Sequence, residues 1–308
     1  MAKQSNEFGA NTRGCGCLRG VVLFVLSTGI VSEVGSAQQK LSHAELVKLS
    51  RESCVRVWVN SRKGSGSGFF IDPNLVVTCC HVINENSVRP VDPSTRKFDP
   101  AKWHPYSDVN IVTIKGETIP VECNSVPTVA DPRPGIYDFV VLKLKTRPKE
   151  RYRVLPLCQN AQNLNVGDDV YFSGFPLSAP AMLTHKGMLS GITRGQVMLC
   201  IQAPVNQGNS GGALLNVQGE VIGIVNSKEG GIPERLDRAR KTIAALKGQN
   251  VLSVTLAGET VNFLTVDKDT IDILEYYIST GIGYAINTQF LRGYIQSRAL
   301  IKPAAGGN

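Results

Sequence analysis

The stretch Gln207–Gly212 (Gln-Gly-Asn-Ser-Gly-Gly) contains residue types that suit nucleophilic chemistry. The hydroxyl of Ser210 stands close to glycines, which permit backbone conformations that a Cβ would forbid. Such a bend can direct successive N–H groups at one point, where they would stabilise a developing oxyanion. Asn, Gly and Ser also dominate ordinary turns, so the stretch alone is equally typical of a turn between two strands.

A hydroxyl nucleophile needs a base, and His81 is the histidine best placed to supply one. It follows the apolar, strand-like run Val76–Cys80, and it is one of only four histidines in the chain. The pKa of an imidazole suits proton transfer near neutral pH. Alone, a histidine at a strand end is more often a core or loop residue, so the assignment depends on a partner.

That partner would be a carboxylate that fixes the imidazole tautomer. Asp138 precedes the apolar run Phe139–Leu142, where an acid must find a partner to be tolerated. Asp108 also precedes a strand, although a more polar one, and Asp131 lies in a loop. From the residues alone, Asp138 and Asp108 both remain candidates.

Short strand-like segments, separated by Gly, Asn and Asp turns, carry these residues. The first set is Val55–Val59, Gly68–Ile71, Leu75–Thr78, Asn110–Lys115, Ile119–Cys123 and Phe139–Lys145. The second set is Asp169–Ser173, Met182–Ile192, Gln196–Gln202, Ala213–Asn216 and Glu220–Asn226. The pattern predicts an all-β barrel or sandwich, and the two groups of strands favour two six-stranded antiparallel β-barrels, over about 50–146 and about 163–292. Before them, Ser42–Leu49 predicts a short helix with a Ser42/Glu45 capping box.

One segment, about 229–280, interrupts the second barrel as a helical insertion. Ile232–Gly248 predicts a helix, because Pro and Glu stand at its start and a glycine ends it. Leu236, Ala239 and Ile243 share one face of that helix.

The N-terminal residues 1–37 predict a secretory signal peptide. A basic, polar region precedes the apolar run Val21–Leu26, and small residues at Gly35–Ala37 offer a cleavage site. The run is shorter than the roughly 20 residues that cross a bilayer, so no stable membrane span is expected after cleavage. We expect a periplasmic or secreted protein, with an N-terminal membrane anchor as the alternative. Residues 301–308 are expected to form a flexible tail.

Composition is that of an ordinary globular protein, with 42% hydrophobic and 19% charged residues among 308. The formal charge of +8 is scattered along the chain, which indicates a basic surface and no nucleic-acid partner. Six cysteines remain after residue 37 and permit fifteen full pairings. Most lie in apolar runs, so we expect mainly free, buried thiols. No Cys-x-x-Cys pair is present, and we expect neither a metal nor a cofactor.

Eight stretches, in order, resemble the trypsin-like serine proteases of the chymotrypsin fold, and among them the HtrA/DegP-type proteases. They are Gly66–Ile71, Val77–Ile83, Asp138–Leu142, Val166–Pro176, Gly187–Ile192, Gln207–Gly212, Gly219–Ile224 and Gly281–Ile286. They are distributed over most of residues 50–292, from Gly66 to Ile286, and together they argue against a simple turn at Ser210. The sequence departs from the family at Cys79 and Cys80, where asparagine or alanine is usual. Only 22 residues follow Ile286, so we expect no PDZ domain of the kind that many HtrA proteins carry.

The resemblance implies a catalytic triad of His81, Asp138 and Ser210. The family places a hairpin between the histidine and the aspartate, and Asn110–Cys123 supplies it, which favours Asp138 over Asp108. The resemblance also implies an oxyanion hole formed by the N–H groups of Gly208 and Ser210. The implied substrate-pocket residues are Pro204, Val205, Asn226 and Ser227.

The implied activity is that of a serine endopeptidase that hydrolyses polypeptides, including unfolded proteins, through an acyl-enzyme. Pro204 and Val205 carry no charge, so the pocket is expected to accept small or medium aliphatic side chains, unless Glu229 of the insertion reaches it. Two alternatives remain: a protease-fold binding or chaperone module with little turnover, and an esterase using the same triad. Gly208–Gly212 has the spacing of the Gly-x-Ser-x-Gly pattern of many esterases, but Ser210 lies between predicted strands and not in the strand-to-helix turn that the pattern requires. A homo-oligomer is compatible with the sequence.

Overall fold

The computed structural model describes residues 39–85, 92, 94, 99–122, 138–176, 181–228, 242, 243, 245, 253–256, 259–262, 266, 270 and 281–301. Twelve strands within these residues form two closed antiparallel barrels. The signal-peptide prediction for residues 1–37 and the tail 302–308 lie outside the described residues. So does most of the predicted helix Ile232–Gly248, of which residues 242, 243 and 245 have helical backbone.

The first barrel closes in the strand order β1-β2-β3-β6-β5-β4. Its strands are β1 Cys54–Val59, β2 Gly64–Asp72, β3 Leu75–Thr78, β4 Val109–Val112, β5 Thr118–Glu122 and β6 Val140–Leu144. Successive side chains of a strand point to opposite faces of the barrel wall. In β1, Val55, Val57 and Val59 are fully buried, whereas the residues between them are only partly buried. The apolar side chains directed inward belong to a buried cluster that also includes residues of the second barrel, such as Leu215 and Ile224.

The second barrel closes in the order β10-β11-β14-β9-β8-β7. Its strands are β7 Asp169–Gly174, β8 Leu183–Ile192, β9 Met198–Gln202, β10 Ala213–Leu215, β11 Val221–Lys228 and β14 Ile282–Asn287. Strands β12 Ser253–Leu256 and β13 Glu259–Asn262 lie between β11 and β14 in the chain and form a separate two-stranded sheet. The prediction of two six-stranded antiparallel barrels is therefore confirmed.

Outside residues 229–280, the described residues form three α-helices: α1 His43–Ser53, α2 Cys80–Ile83 and α3 Thr288–Ser297. The predicted capping box begins α1, because Ser42 Oγ accepts from the Glu45 N–H and the Ser42 N–H donates to the Glu45 carboxylate. Asn287 caps α3 by accepting from the Gln289 N–H at 2.9 Å. None of the helices found in the described part of the chain is long and apolar enough to cross a membrane.

Candidate active site

Strand pairing in the first barrel brings His81 and Asp138 together. Strands β3 and β6 are antiparallel neighbours, with Thr78 opposite Val140, so the residues after β3 meet those before β6. His81 Nδ1 lies 2.8 Å from Asp138 Oδ2 and 3.1 Å from Oδ1. The backbone N–H of His81 also donates to Oδ1, at 3.1 Å. The carboxylate is therefore held against the imidazole by both the ring and the main chain.

Asn226, near the end of β11, completes the surroundings of that carboxylate. Its side-chain amide donates to Asp138 Oδ2 at 2.6 Å, and both residues are buried. A buried carboxylate requires such donors to be tolerated. The sequence interpretation placed Asn226 in the substrate pocket and missed this contact. The available signal was a polar residue at the end of an otherwise apolar strand.

Ser210 joins this cluster through Asn226. Its Oγ donates to the Asn226 carbonyl at 3.0 Å, and no contact of the described residues links it directly to His81. The Ser210 hydroxyl is therefore hydrogen-bonded to Asn226, the residue whose side chain contacts Asp138. The three predicted triad residues belong to one network, in which the serine hydroxyl donates to the Asn226 carbonyl.

The main chain around Ser210 has two residues in the left-handed region, Gly208 at φ +95° and Gly211 at φ +92°. Hydrogen bonds engage the N–H groups of Asn209, Gly211 and Gly212, which donate to the carbonyls of Asn206, Val225 and Asn209 at 3.0, 2.7 and 3.0 Å. Within the described residues, the N–H groups of Gly208 and Ser210 donate to no acceptor. These are the two groups that the sequence interpretation placed in an oxyanion hole.

The other predicted residues lie around this cluster or away from it. Pro204 is exposed and Val205 is buried just before the Ser210 loop. Ser227 belongs to β11, where it pairs with Tyr284 of β14. Asp108 lies elsewhere and accepts hydrogen bonds from Ser61, at 2.6 Å from its N–H and 3.2 Å from its hydroxyl. Asp131 and Glu229 lie outside the described residues.

Two buried cysteines flank the His–Asp pair. The thiol of Cys79 donates to the Val225 carbonyl at 3.4 Å, and that of Cys80 to the Phe139 carbonyl at 3.1 Å. Burial raises the pKa of the Cys80 thiol well above its usual value, and the nearby charge of Asp138 raises it further. Among the described residues, Cys54, Cys79, Cys80, Cys158 and Cys200 form no disulfide bond.

Cys79, His81 and Asp138 together form a donor set with sulfur, nitrogen and oxygen atoms within 4.8 Å of one another. A soft divalent metal accepts such ligands. Here the amide of Asn226 lies against two of them, at 2.6 Å from Asp138 Oδ2 and 3.6 Å from Cys79 Sγ. His81 Nδ1 is already hydrogen-bonded to Asp138. The three side chains are therefore engaged in a hydrogen-bond network with one another and with Asn226.

A histidine on a buried carboxylate, with a serine and two unengaged N–H groups nearby, has the residue types of a Ser-His-Asp acyl-transfer site, and the serine hydroxyl here donates to the Asn226 carbonyl and not to the histidine. The family profile of the trypsin-like peptidase domain matches residues 66–224 of this sequence. The chain belongs to the trypsin-like peptidase family. The match includes His81, Asp138 and Ser210, and it ends at Ile224 in β11.

Curated relatives agree with this family. The serine protease Do-like HtrA of Lactococcus lactis subsp. lactis is 35% identical over 105 residues, which are 30% of this chain and 25% of that protein. A probable periplasmic serine endoprotease, DegP-like, of Chlamydia pneumoniae is 27% identical over 52% of this chain and 28% of its own. The human peroxisomal leader peptide-processing protease is 29% identical over 56% of this chain and 26% of its own. The chain thus spans about a quarter of the length of these relatives.

Among solved structures, the crystal structure of a serine endoprotease from Yersinia pestis has the same fold. The two superpose with a TM-score of 0.52 at 20% sequence identity. The match covers 84% of this chain and 67% of that one. At this identity the likeness supports the two-barrel fold alone.

Proposed function

We propose that this protein is a serine endopeptidase that cleaves polypeptides through a covalent acyl-enzyme. Ser210 Oγ turns from the Asn226 carbonyl towards His81, gives up its proton to the imidazole, and attacks a peptide carbonyl. His81 then donates that proton to the leaving amine. Asp138 holds the ring in the required tautomer and stabilises its protonated form. The N–H groups of Gly208 and Ser210 bind the oxyanion of the tetrahedral intermediate.

The observation that carries the proposal is the contact between His81 Nδ1 and the buried Asp138 carboxylate. An imidazole held this way presents its other nitrogen as a base. The same carboxylate is linked through Asn226 to Ser210. A role for Asp108 is disfavoured, because its carboxylate is bonded to Ser61 instead.

The substrates we propose are unfolded or extended polypeptides with small or medium aliphatic side chains at the cleaved position. Val205 is apolar and Pro204 carries no charge to neutralise a lysine or an arginine. Relatives named as DegP-like and HtrA proteases support a protein substrate. Export to the periplasm or outside the cell is supported by the N-terminal signal pattern and by the periplasmic assignment in the name of one relative.

One observation favours a second candidate, a protease-fold binding module with little turnover. Ser210 Oγ donates to the Asn226 carbonyl and not to His81. A protein that kept this hydroxyl orientation with substrate bound would retain polypeptides without cleaving them.

Incubation with an unfolded protein such as a reduced, alkylated globular substrate decides between the two. An endopeptidase produces internal peptides whose cleavage sites, mapped by mass spectrometry, follow aliphatic residues; Ser210→Ala produces none. Retention of intact substrate by the wild-type protein, without cleavage, would instead support the binding module. Cleavage mainly after lysine or arginine would contradict the proposed pocket.

A further inference from the structure

Ser67, in the middle of β2 of the first barrel, holds the loop of the second barrel that carries Ser210. The residue is completely buried. Its backbone N–H donates to the Ser210 carbonyl at 2.8 Å, and its hydroxyl donates to the Gly208 carbonyl at 2.6 Å. One residue therefore binds the carbonyls on both sides of Asn209.

The direction of the Ser67 hydroxyl is itself determined by its neighbours. The N–H of Phe175 donates to Ser67 Oγ at 3.0 Å, so the hydroxyl proton is left for Gly208. The Ser67 carbonyl accepts from Thr78 Oγ1 at 2.7 Å, which ties this point of β2 to β3. A hydroxyl engaged both as donor and as acceptor, beside a fixed backbone, has little freedom to turn elsewhere.

These contacts determine the orientation of successive peptide groups, because the C=O and N–H of a trans peptide point in opposite directions. With the Gly208 carbonyl on Ser67, the Asn209 N–H faces the Asn206 carbonyl. With the Ser210 carbonyl on the Ser67 N–H, the next N–H reaches the Val225 carbonyl.

The peptide between these two carries the Ser210 N–H. Its carbonyl, that of Asn209, accepts from the Gly212 N–H, so the Ser210 N–H points to the opposite side. Ser67 thus orients the peptide groups before and after the one that carries this proposed oxyanion donor.

We propose that Ser67 is the positioning residue of the oxyanion hole, an inference that rests on the proposed endopeptidase function. Without its hydroxyl, the buried Gly208 carbonyl has lost its donor, which is unfavourable. Glycine tolerates many backbone conformations, so the loop can relieve this loss by rotating the Gly208 carbonyl out of its buried place. That rotation moves the adjacent N–H groups away from the oxyanion.

The test compares Ser67→Ala with Ser50→Ala. Ser50 is also a buried serine, and its hydroxyl donates to Ser173 Oγ at 2.8 Å, so the control removes one buried hydroxyl that does not hold the Ser210 loop. For each variant we would measure kcat and KM per folded active site, with a peptide substrate. We would also measure the affinity for a peptide aldehyde, which forms a tetrahedral adduct, and for the matching peptide alcohol, which does not.

Loss of one oxyanion donor lowers kcat by about 10²–10³-fold, so a displaced donor should cost about ten- to hundredfold. We expect this loss in kcat and in aldehyde affinity for Ser67→Ala, with KM and alcohol affinity unchanged. Ser50→Ala should match the wild type in all four quantities. If Ser67→Ala does not fold, Ser67→Cys provides a side chain of similar size with a weaker hydrogen-bond donor. We expect the same loss of kcat and of aldehyde affinity from that variant.

An unchanged kcat in a folded Ser67 variant would overturn the inference. Equal losses of aldehyde and alcohol affinity would also overturn it, because they indicate a general structural effect. A wild-type protein without turnover would overturn the endopeptidase proposal itself, and the role of Ser67 with it. An active wild type beside an equally active Ser67→Ala refutes the positioning role alone.

Discussion

The side-chain amide of Asn226 donates to Asp138 Oδ2 over 2.6 Å, with both residues buried. The backbone carbonyl of the same asparagine accepts the Ser210 hydroxyl at 3.0 Å. One residue of β11 therefore contacts the proposed acid and the proposed nucleophile, although these belong to different barrels. Its two contacts suggest different effects on catalysis: the amide holds the carboxylate in place, and the carbonyl competes for the hydroxyl.

Removing the amide should impair turnover. A hydrogen bond to a charged group contributes about 1.5–3 kcal/mol, so Asn226→Ala is expected to lower kcat by about ten- to hundredfold as Asp138 loses its orientation. The control is Asn110→Ala, which removes an amide that donates to the Asp108 carbonyl at 3.3 Å in the first barrel. Steady-state kinetics with titrated active sites would measure both. Equal kcat values in the two variants would contradict the role of Asn226.

Substitution of Asp138 and of Asp108, the two candidates from the sequence, should have very different effects on kcat. Asp138→Asn preserves the shape of the side chain but favours the wrong imidazole tautomer, a change that lowers kcat by about ten-thousand-fold in a known triad. Asp108→Asn disturbs only the bonds to Ser61 and should leave kcat within about twofold of the wild type. Peptide hydrolysis rates would establish the ranking. A larger loss in Asp108→Asn would mean that the acid is misassigned.

Much of the fold could be predicted from the sequence, because alternating apolar residues report the buried face of a strand directly. The β9 boundary was wrong: the predicted strand began at Gln196, but β9 begins at Met198. Gly195 at φ +76° and Gln196 at φ +56° leave the extended conformation there. Local composition does not reveal such a left-handed pair when one member is not glycine.

The site was harder to predict than the fold. The resemblance predicted a pair of His81 and Asp138, and strand pairing brings these two residues into contact. The contacts of Asn226 and Ser67 escaped the sequence interpretation. Each contact depends on which residue of one barrel faces a segment of the other. The alternation of apolar and polar residues along one strand predicts its buried face but not its neighbour across the two barrels.

The glycine after Ser210 should tolerate no side chain. Gly211 lies at φ +92°, and an added Cβ would stand 2.1 Å from the Ser67 carbonyl oxygen and 2.4 Å from Thr78 Oγ1. Gly116 has a similar φ of +83° with open space around it. Gly116→Ala therefore measures the loss of unfolding free energy that comes from the left-handed backbone alone, about 1–2 kcal/mol. Gly211→Ala should cost about 1–3 kcal/mol more, through overpacking. Urea unfolding would measure both, and equal losses would contradict the predicted clash.

The buried thiols of Cys54 and of Cys80, which precedes His81 in the chain, should be chemically inert in the folded protein. Burial raises the pKa of Cys54 to about 12 and that of Cys80 well above its usual value, so neither forms a thiolate at pH 8. We expect iodoacetamide to modify both only after unfolding in urea, whereas the partly exposed Cys200 reacts in the native state. Mass spectrometry of digested samples would follow each site. Native modification of Cys80 as fast as that of Cys200 would reveal an accessible, reactive thiol next to the proposed base.

The most direct test of the central claim is labelling of the folded protein with a fluorophosphonate, which reacts with an activated serine and not with an ordinary hydroxyl. We expect one adduct, on the peptide that contains Ser210. Labelling should disappear in Ser210→Ala, in His81→Ala and after heat denaturation, because the base must be in place to activate the serine. Labelling that persists in Ser210→Ala, or a folded wild-type protein that takes up no label, would contradict the assignment of Ser210 as the nucleophile.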